Sequence, residues 1–143
     1  MTQSILVAVD GSPHSLNGAK EAARIAKAIG AKLEVAYVLP PILLSESVYA
    51  DTIKKIDEAN KAEAEAIFAK AREAIRSADS GLQVDTVMLN GAPAEALSDL
   101  VQAERFWGVV IGAKGHSAVS RMLLGSVTDR LVHISHKPVL VVR

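Results

Sequence analysis

The chain has 143 residues, half of them hydrophobic but only 3% aromatic, so we expect a single domain, residues 1–143, with a core of Val, Ile, Leu and Ala. Sixteen basic and sixteen acidic residues cancel, which leaves no overall field to attract nucleic acid or an anionic membrane, and the absence of cysteine excludes disulfides, thiolate metal sites and thiol catalysis. The start of the chain lacks a signal-peptide pattern, and no apolar stretch approaches the roughly 20 residues of a spanning helix, so we expect a cytoplasmic protein without membrane insertion.

The first third of the chain predicts a strand, a helix and a second strand. Residues 4–9, SILVAV, form a continuous apolar run that is typical of a strand covered on both faces. A helix is predicted over residues 13–29, because a proline stands in its first turn and Gly30 follows as a stop signal. Residues 31–39, AKLEVAYVL, predict the second strand.

The middle of the chain predicts two helices separated by a strand. A long helix is predicted over residues 51–77, with one apolar stripe that runs from Ile53 to Ile75. Residues 82–89, LQVDTVML, predict the third strand, and residues 91–105 predict a helix opened by a proline.

The last third predicts a strand over residues 107–112, a helix over 125–135 and a final strand from residue 138. Strands and helices therefore alternate along the whole chain. This alternation predicts an α/β fold, a doubly wound five-stranded parallel sheet with helices on both faces.

Two polar segments follow predicted strands that would lie side by side in the centre of such a sheet. They are VDGSP, residues 9–13, and the loop from Gly112 to Ser126, GAKGHSAVSRMLLGS. Ligands of open α/β sheets bind beyond the carboxyl ends of the strands, so an acidic residue facing a glycine-rich loop predicts a nucleotide cleft. Two plainer interpretations stay open: residues 10–13 are a turn and helix cap, and the loop is an ordinary surface connection.

The loop has a distinctive glycine spacing. It matches neither the P-loop nor the dinucleotide-binding pattern. Its spacing, Gly112, two residues, Gly115, nine residues, Gly125-Ser126, resembles the G-x2-G-x9-G-[ST] nucleotide-binding signature of the universal stress protein family. The opening ILVAVDGSPHS and the closing KPVLVV also resemble that family, so the likeness extends from Ile5 to Val142.

The resemblance implies strand order 3-2-1-4-5, and it implies binding of ATP together with Mg²⁺. It places Asp10 at the ribose or the metal region and Val38 and Ile111 at the adenine, and the glycine loop at the ribose and triphosphate. The full set of residues that it assigns to nucleotide binding is Ala8, Val9, Asp10, Val38, Ile111, Gly112, Gly115, His116, Gly125, Ser126 and Val127. Lys114 and Arg121 are less firmly assigned, because loop side chains vary in the family.

Several functions remain open. The leading hypothesis is an ATP-binding stress-response or signalling module that changes its surface or assembly when occupied. A slow ATPase and a nucleotide-independent protein-interaction module are the alternatives, and AMP, ADP or a cyclic nucleotide would fit the same motif. A phosphoacceptor receiver domain is excluded, because Asn90 stands where the third strand would need a phosphorylatable aspartate.

No catalytic residue is assigned, and metal ligands remain unknown. Efficient phosphoryl transfer needs a positioned base and charge stabilisation at the γ-phosphate, and no recognisable set of this kind is present. His133 and His136 have the spacing of a metal pair on a helix, but no third ligand is evident. We interpret them as cationic residues at a helix C-terminus.

The final strand, residues 138–142, is expected at an edge of the sheet. An exposed apolar edge favours pairing with another chain, and a proline at its first residue is typical of an edge strand. The resemblance points to the same pairing, so we expect a homodimer through this strand. An adenine nucleotide is the other expected partner, and a further protein partner is unknown.

Overall fold

The structure is a computed structural model, and it describes residues 3–39, 41, 49–79, 81–115 and 123–143. Strands and helices alternate in the described chain. The elements are β1 (Ser4–Ala8), α1 (Pro13–Ile29), β2 (Lys32–Leu39), α2 (Ala50–Ala78), β3 (Val84–Asn90), α3 (Pro93–Val101), β4 (Phe106–Gly112), α4 (Ser126–Ile134) and β5 (Val139–Val142).

All five strands are parallel and lie in the order β3-β2-β1-β4-β5. This confirms the predicted fold class and strand order. The chain reverses its direction of winding at β1, whose neighbours are β2 and β4. The carboxyl ends of these three strands therefore form the crevice in which open α/β sheets bind ligands.

Each face of the sheet is covered by two helices, so there are two aliphatic cores. On one face, α1 and α2 pack over residues that include Ile5, Val7, Leu33, Val35, Ile67 and Phe68. On the other face, α3 and α4 pack over residues that include Leu6, Leu97, Val101, Val109, Ile111 and Leu131. The continuous burial of β1 agrees with the unbroken apolar run that predicted it.

Local sequence signals determine where α1 begins and ends. Ser12 is its N-cap and accepts a hydrogen bond from the backbone N–H of Ser15, while Pro13 occupies the first helical position, where no N–H is needed. Gly30 ends the helix in the left-handed region, at φ +69°. Between these signals, alanines at the buried face let the helix approach the sheet closely.

Two helices differ from their predictions. Only the C-terminal half of α2 packs on the sheet: its buried residues begin at Ala64, whereas Ile53 is 47% exposed. Helix α3 ends at Val101 rather than continuing to residue 105, because the chain turns there, with the N–H of Ala103 donating to the carbonyl of Leu100.

Within the described residues, no helix is both long enough and apolar enough to cross a membrane.

Candidate functional site

A cavity of about 350 Å³ opens at the carboxyl ends of β1, β2 and β4, within the size range of small-molecule sites. Its walls are formed by several elements of the fold. They include the ends of these strands, the first turns of α3 and α4, the loop after β4 and one residue of α2.

One wall of the cavity is apolar. It consists of core residues of the α3–α4 face that end at the crevice, together with the first residue of α3: Ala8, Ala36, Val38, Pro93, Leu97, Ile111 and Val127. The wall is part of the packed core, so it exists without a ligand. A flat apolar ring fits such a surface, and burying it there is favourable in proportion to the area removed from water.

Asp10 follows β1 and lies in a tight, hydrogen-bonded turn. Its Oδ1 accepts a hydrogen bond of 2.9 Å from the backbone N–H of Ser12, and its own N–H donates to Oγ of Ser15 at 3.3 Å. The hydroxyl of Ser15 in turn donates to the carbonyl of Ser12 at 2.9 Å. These bonds fix the backbone that carries the carboxylate at the rim of the cavity.

Two glycines of the loop lie close to neighbouring parts of the fold: Gly115 is close to Asp10, and Gly112 is close to α1. A Cβ on Gly115 would overlap Oδ2 of Asp10, so a side chain at this position would displace either the loop or the carboxylate. Gly112 instead approaches the first turn of α1: a Cβ there would lie 2.7 Å from the backbone N of Ser15. Close approach to backbone atoms therefore requires glycine at position 112, and neither glycine has a positive φ.

The first turn of α4 forms the far end of the cavity. Gly125 is its N-cap, and its N–H donates to the carbonyl of Ala113 at 2.7 Å. Glycine has no side chain with which to cap the helix, so the first-turn N–H groups are donors that point toward an anion in this position. Ser126 and Lys114 line the same end of the cavity.

Thr128 joins this helix to the sheet. Its hydroxyl is buried, the residue being 3% exposed, and donates a 2.7 Å hydrogen bond to the carbonyl of Gly112. The bond ties the first turn of α4 to the last residue of β4, so it fixes the position of the donors that line the cavity.

Two further polar residues, Tyr37 of β2 and Glu63 of α2, line the cavity beside Asp10. Burial raises the pKa of Tyr37, and the charges of Glu63 and Asp10 and a hydrogen bond to Glu63 raise it further. The phenol therefore stays protonated at neutral pH. Its ring is held by an edge-to-face contact with Phe68, with centroids 6.5 Å apart.

The structure brings almost all of the predicted binding residues to this one cavity. Those that line it are Ala8, Val9, Asp10, Val38, Ile111, Gly112, Gly115, Gly125, Ser126 and Val127. His116 and Arg121 lie outside the described residues. The segment after β1 forms the turn and helix cap of the plainer interpretation, with Ser12 as the N-cap of α1, and its Asp10 also lines the cavity.

Sequence reasoning missed the residues that reach the cavity through tertiary packing. These are Ser15, Ala36, Tyr37, Glu63, Pro93, Leu97 and Thr128. For Pro93 and Leu97 of α3, the strand order supplies the signal that the sequence lacked. Strand β3 lies beside β2, so α3, which begins just after β3, starts next to the carboxyl end of β2.

In the part of the chain that the structure describes, no three His, Asp or Glu side chains form a metal-ligand group. The predicted helix-end position of His133 agrees with its geometry, since its Nδ1 lies 2.7 Å from the carbonyl oxygen of Asp129.

The cavity combines an apolar wall, carboxylates and helix N-terminal donors, a set suited to binding a ligand with an aromatic and an anionic end.

Comparisons with known proteins agree with this architecture. The chain matches the model of the universal stress protein family over residues 1–143. It is 31% identical over 150 aligned positions to universal stress protein YxiE of Bacillus subtilis, with 100% of both chains covered.

Two solved structures are similar throughout. The universal stress protein UspA from Lactobacillus plantarum has a TM-score of 0.85 at 25% identity, covering 99% of this chain and 97% of that one. A universal stress protein solved in complex with cAMP has a TM-score of 0.70 at 28% identity, covering 99% and 96% of the two chains.

Proposed function

The chain belongs to the universal stress protein family, and we propose that it is a nucleotide-dependent stress-response or signalling module that binds ATP in the cavity at the ends of β1, β2 and β4. The observation that carries the proposal is the convergence on one cavity of an apolar wall, Asp10 and the uncapped first turn of α4.

The adenine ring lies against the apolar wall. Val38, Leu97 and Ile111 present aliphatic side chains that belong to the packed core, so little ordering is needed when the ring binds. Preorganisation of this kind lowers the entropic cost of association. A neighbour solved with cAMP supports an adenine ligand for this architecture.

The phosphates lie at the first turn of α4 and along the glycine loop. Helix N-terminal N–H groups and the positive end of the helix dipole favour phosphate there, and Lys114 adds a positive charge. The glycines let the loop backbone pass close to the ligand.

Mg²⁺ enters with the triphosphate. Mg²⁺ prefers oxygen ligands, and it is commonly held by substrate phosphates and one or two carboxylates. Asp10, beside the glycine loop, fits that role.

Nucleotide binding is tested by titration calorimetry with ATP and Mg²⁺ on the wild-type protein, Asp10→Ala and Gly125→Val. We expect each substitution to weaken binding more than about tenfold, because one removes the cavity carboxylate and the other places a Cβ 3.3 Å from the Cα of Lys114. A site occupied at about 100 times its dissociation constant adds about 2.7 kcal/mol of stability, which a thermal shift detects.

Asp99→Ala and Gly81→Val are the matched controls, because Asp99 is exposed on α3 and a Cβ on Gly81 has 3.8 Å to its nearest neighbour. Binding that is unchanged in Asp10→Ala and Gly125→Val would refute the assignment of the cavity. A wild-type protein indifferent to every adenine nucleotide would favour the interaction-module hypothesis.

We also propose that the protein forms a homodimer through β5. This strand is a sheet edge of four half-exposed aliphatic residues. The carbonyls of Pro138 and Val142 accept hydrogen bonds from Val109 of β4 and from Ala113, which follows β4. In a parallel ladder the N–H groups of Val139 and Val141 therefore point away from β4 and can pair with a second strand.

Val141→Pro tests the dimer, because it removes an outward N–H while leaving the bonds to β4 intact. Light scattering after size exclusion should report a dimer for the wild type and a monomer for this variant. Val141→Thr keeps both the N–H and the branched shape, so it should remain dimeric. A dimeric Val141→Pro protein would place the interface elsewhere.

A further inference from the structure

We propose that the outer edge of β3, together with Arg72 and Arg76 of α2, is a docking site for a partner protein. The occupant is an extended segment that adds a further strand beside β3. It carries an acidic side chain on the face of the sheet covered by α2 and a basic side chain, at the next position, on the opposite face. The inference does not depend on nucleotide binding, because no residue that lines the recess beside these arginines lines the nucleotide cavity.

Strand β3 is one of the two edges of the sheet, and hydrogen bonds show which of its backbone groups point outward. The N–H of Leu33 in β2 donates to the carbonyl of Gln83, and the N–H of Gly91 donates to the carbonyl of Leu39. Alternate residues of a parallel strand face the same neighbour, so the odd-numbered residues of β3 face β2. The others present their N–H and C=O groups at the outer edge: Val84, Thr86, Met88 and Asn90.

This edge is long and regular. Strand β3 pairs with β2 over seven residues without a register shift, and it contains no proline. Prolines, bulges and very short strands are the usual devices that keep an edge from pairing with another chain. Among the described residues, no hydrogen bond joins the outward backbone groups of β3 to another segment. The edge therefore has the donors and acceptors that strand addition requires.

A recess beside the start of β3 adds positive charge to this edge. It has a volume of about 200 Å³, and its apolar lining consists of Ile75, Leu82 and Val84. Arg72 and Arg76, one turn apart on α2, also line it and are exposed. None of the ion pairs formed between described residues includes either arginine. Both guanidinium groups are therefore available to a ligand that enters the recess.

Asp79 is the acidic residue of the recess. Its Oδ1 accepts a 3.1 Å hydrogen bond from the backbone N–H of Gly81, so this carboxylate takes part in a local turn. Two guanidinium groups and one carboxylate leave the recess with a net positive charge. A guanidinium group binds a carboxylate through two parallel N–H donors. An aspartate or glutamate of the partner is therefore the complementary residue on this face.

The opposite face of β3 carries a negative charge at the same level. Val84 and Met88 belong to the core under α1 and α2, whereas Val87 and Leu89 belong to the core under α3 and α4. Side chains alternate along a strand, so the exposed Asp85 lies on the α3 face, one residue from the recess. An added strand alternates in the same way. An acidic residue followed or preceded by a basic one therefore meets opposite charge on both faces.

The other edge strand of a second copy does not have this pattern. Residues 137–143, KPVLVVR, contain a lysine and an arginine but no acidic residue. Pairing of this segment with β3 would leave the two arginines of the recess without a carboxylate and would add cations nearby. We therefore assign the site to a different protein.

The first test uses terminally blocked peptides as probes, observed through the amide NMR signals of the isotope-labelled protein. The probe Ser-Glu-Lys-Thr-Val-Thr-Val-Ser and its reversed sequence cover parallel and antiparallel addition. Each is compared with a version in which Glu and Lys are exchanged, so that composition and net charge are equal. We expect one probe to shift the amide signals of β3 and to bind at least about fivefold more tightly than its exchanged version.

Arg76→Glu should weaken binding of that probe at least about fivefold, because it replaces an attractive charge in the recess with a repulsive one. Lys70→Glu is the matched control: Lys70 is exposed on the same helix and undergoes the same change of charge, but it does not line the recess. Its affinity for the probe should equal that of the wild type.

Thr86→Pro tests the backbone contribution. It removes one outward N–H and leaves the hydrogen bonds between β3 and β2 in place, so it should abolish binding of the probe. Thr86→Val keeps the N–H and the branched shape, and it should bind as the wild type does.

Three results would overturn the inference. The first is an affinity that is unchanged in Arg76→Glu or lowered equally in Lys70→Glu. The second is an absence of β3 shifts with every probe at millimolar concentration, or shifts confined to β5. The third comes from light scattering after size exclusion: a smaller assembly in Thr86→Pro than in the wild type would show that a second copy of this chain occupies the edge.

Discussion

Thr128 is expected to contribute to both stability and nucleotide binding, and Thr128→Val isolates its hydroxyl. Valine has nearly the same shape, so packing at this buried position is kept while the 2.7 Å hydrogen bond to the Gly112 carbonyl is lost. The bond joins the end of β4 to the first turn of α4, which are two walls of the cavity.

The expected loss of stability follows from burial. A buried hydrogen bond contributes about 1 kcal/mol net, and leaving one buried partner unsatisfied costs about 1–3 kcal/mol. We therefore expect the free energy of unfolding to fall by about 1–2 kcal/mol, which corresponds to a decrease in Tm of about 3–8 °C in a chain of this length.

Binding of ATP should weaken about three- to tenfold in Thr128→Val, because the first-turn donors are no longer fixed relative to the glycine loop. Urea denaturation measures the first effect and titration calorimetry the second. Thr128→Ser is the control: it keeps the hydroxyl and loses a methyl group, so it should retain most of the ATP affinity. If Thr128→Val unfolds at the wild-type urea concentration and binds ATP equally well, the bond has no structural role.

Two further predictions concern the neighbouring residues. Gly112→Ala should lower the free energy of unfolding by at least about 2 kcal/mol in urea, because its Cβ would lie 2.7 Å from α1 backbone atoms that cannot move aside. Gly81→Ala should change it little, because its Cβ would make only an ordinary contact, 3.8 Å from Oδ1 of Asp79. The pKa of Tyr37 is raised in the folded state by burial, so its protonated form stabilises the fold up to about pH 10, and this contribution is lost as the pH rises through the raised value. In Tyr49→Phe, which leaves Tyr37 as the one tyrosine of the chain, the phenolate absorbance of the folded protein should appear at a higher pH than that of the urea-unfolded protein, and coincident titrations would contradict the burial argument.

The fold was predictable because its signals are local. Each strand is a short apolar run, and α1 has a proline in its first turn and a glycine just after its end. The alternation of strands and helices then leaves few topologies. The boundaries of α1 and the order of elements follow from these features without knowledge of tertiary contacts.

The packing of α2 was not predictable from its stripe. Ile53 and Ile75 share one helical periodicity, yet Ile53 is 47% exposed and Ile75 is 2% exposed. Periodicity identifies the face of a helix that is apolar, but it does not say how far along the helix the sheet extends. The 29-residue helix is longer than the strands that it covers.

The residues of the candidate site likewise fall into those that local sequence predicts and those that only tertiary packing brings to the cavity. The residues found from sequence follow strands directly, as Asp10 follows β1 and Gly112 ends β4. Glu63 and Leu97 lie within helices, and their positions at the cavity depend on strand order and helix packing.

Asp10 belongs at once to the turn that leads into α1 and to the lining of the cavity. Its Oδ1 is engaged by the N–H of Ser12, so the carboxylate completes the turn that leads into α1, while Oδ2 lies against Gly115 of the loop. The turn supplies the fixed backbone that a preorganised site needs, and the loop supplies the opposite wall. The turn that leads into the helix cap is therefore the means by which the carboxylate is held at the cavity.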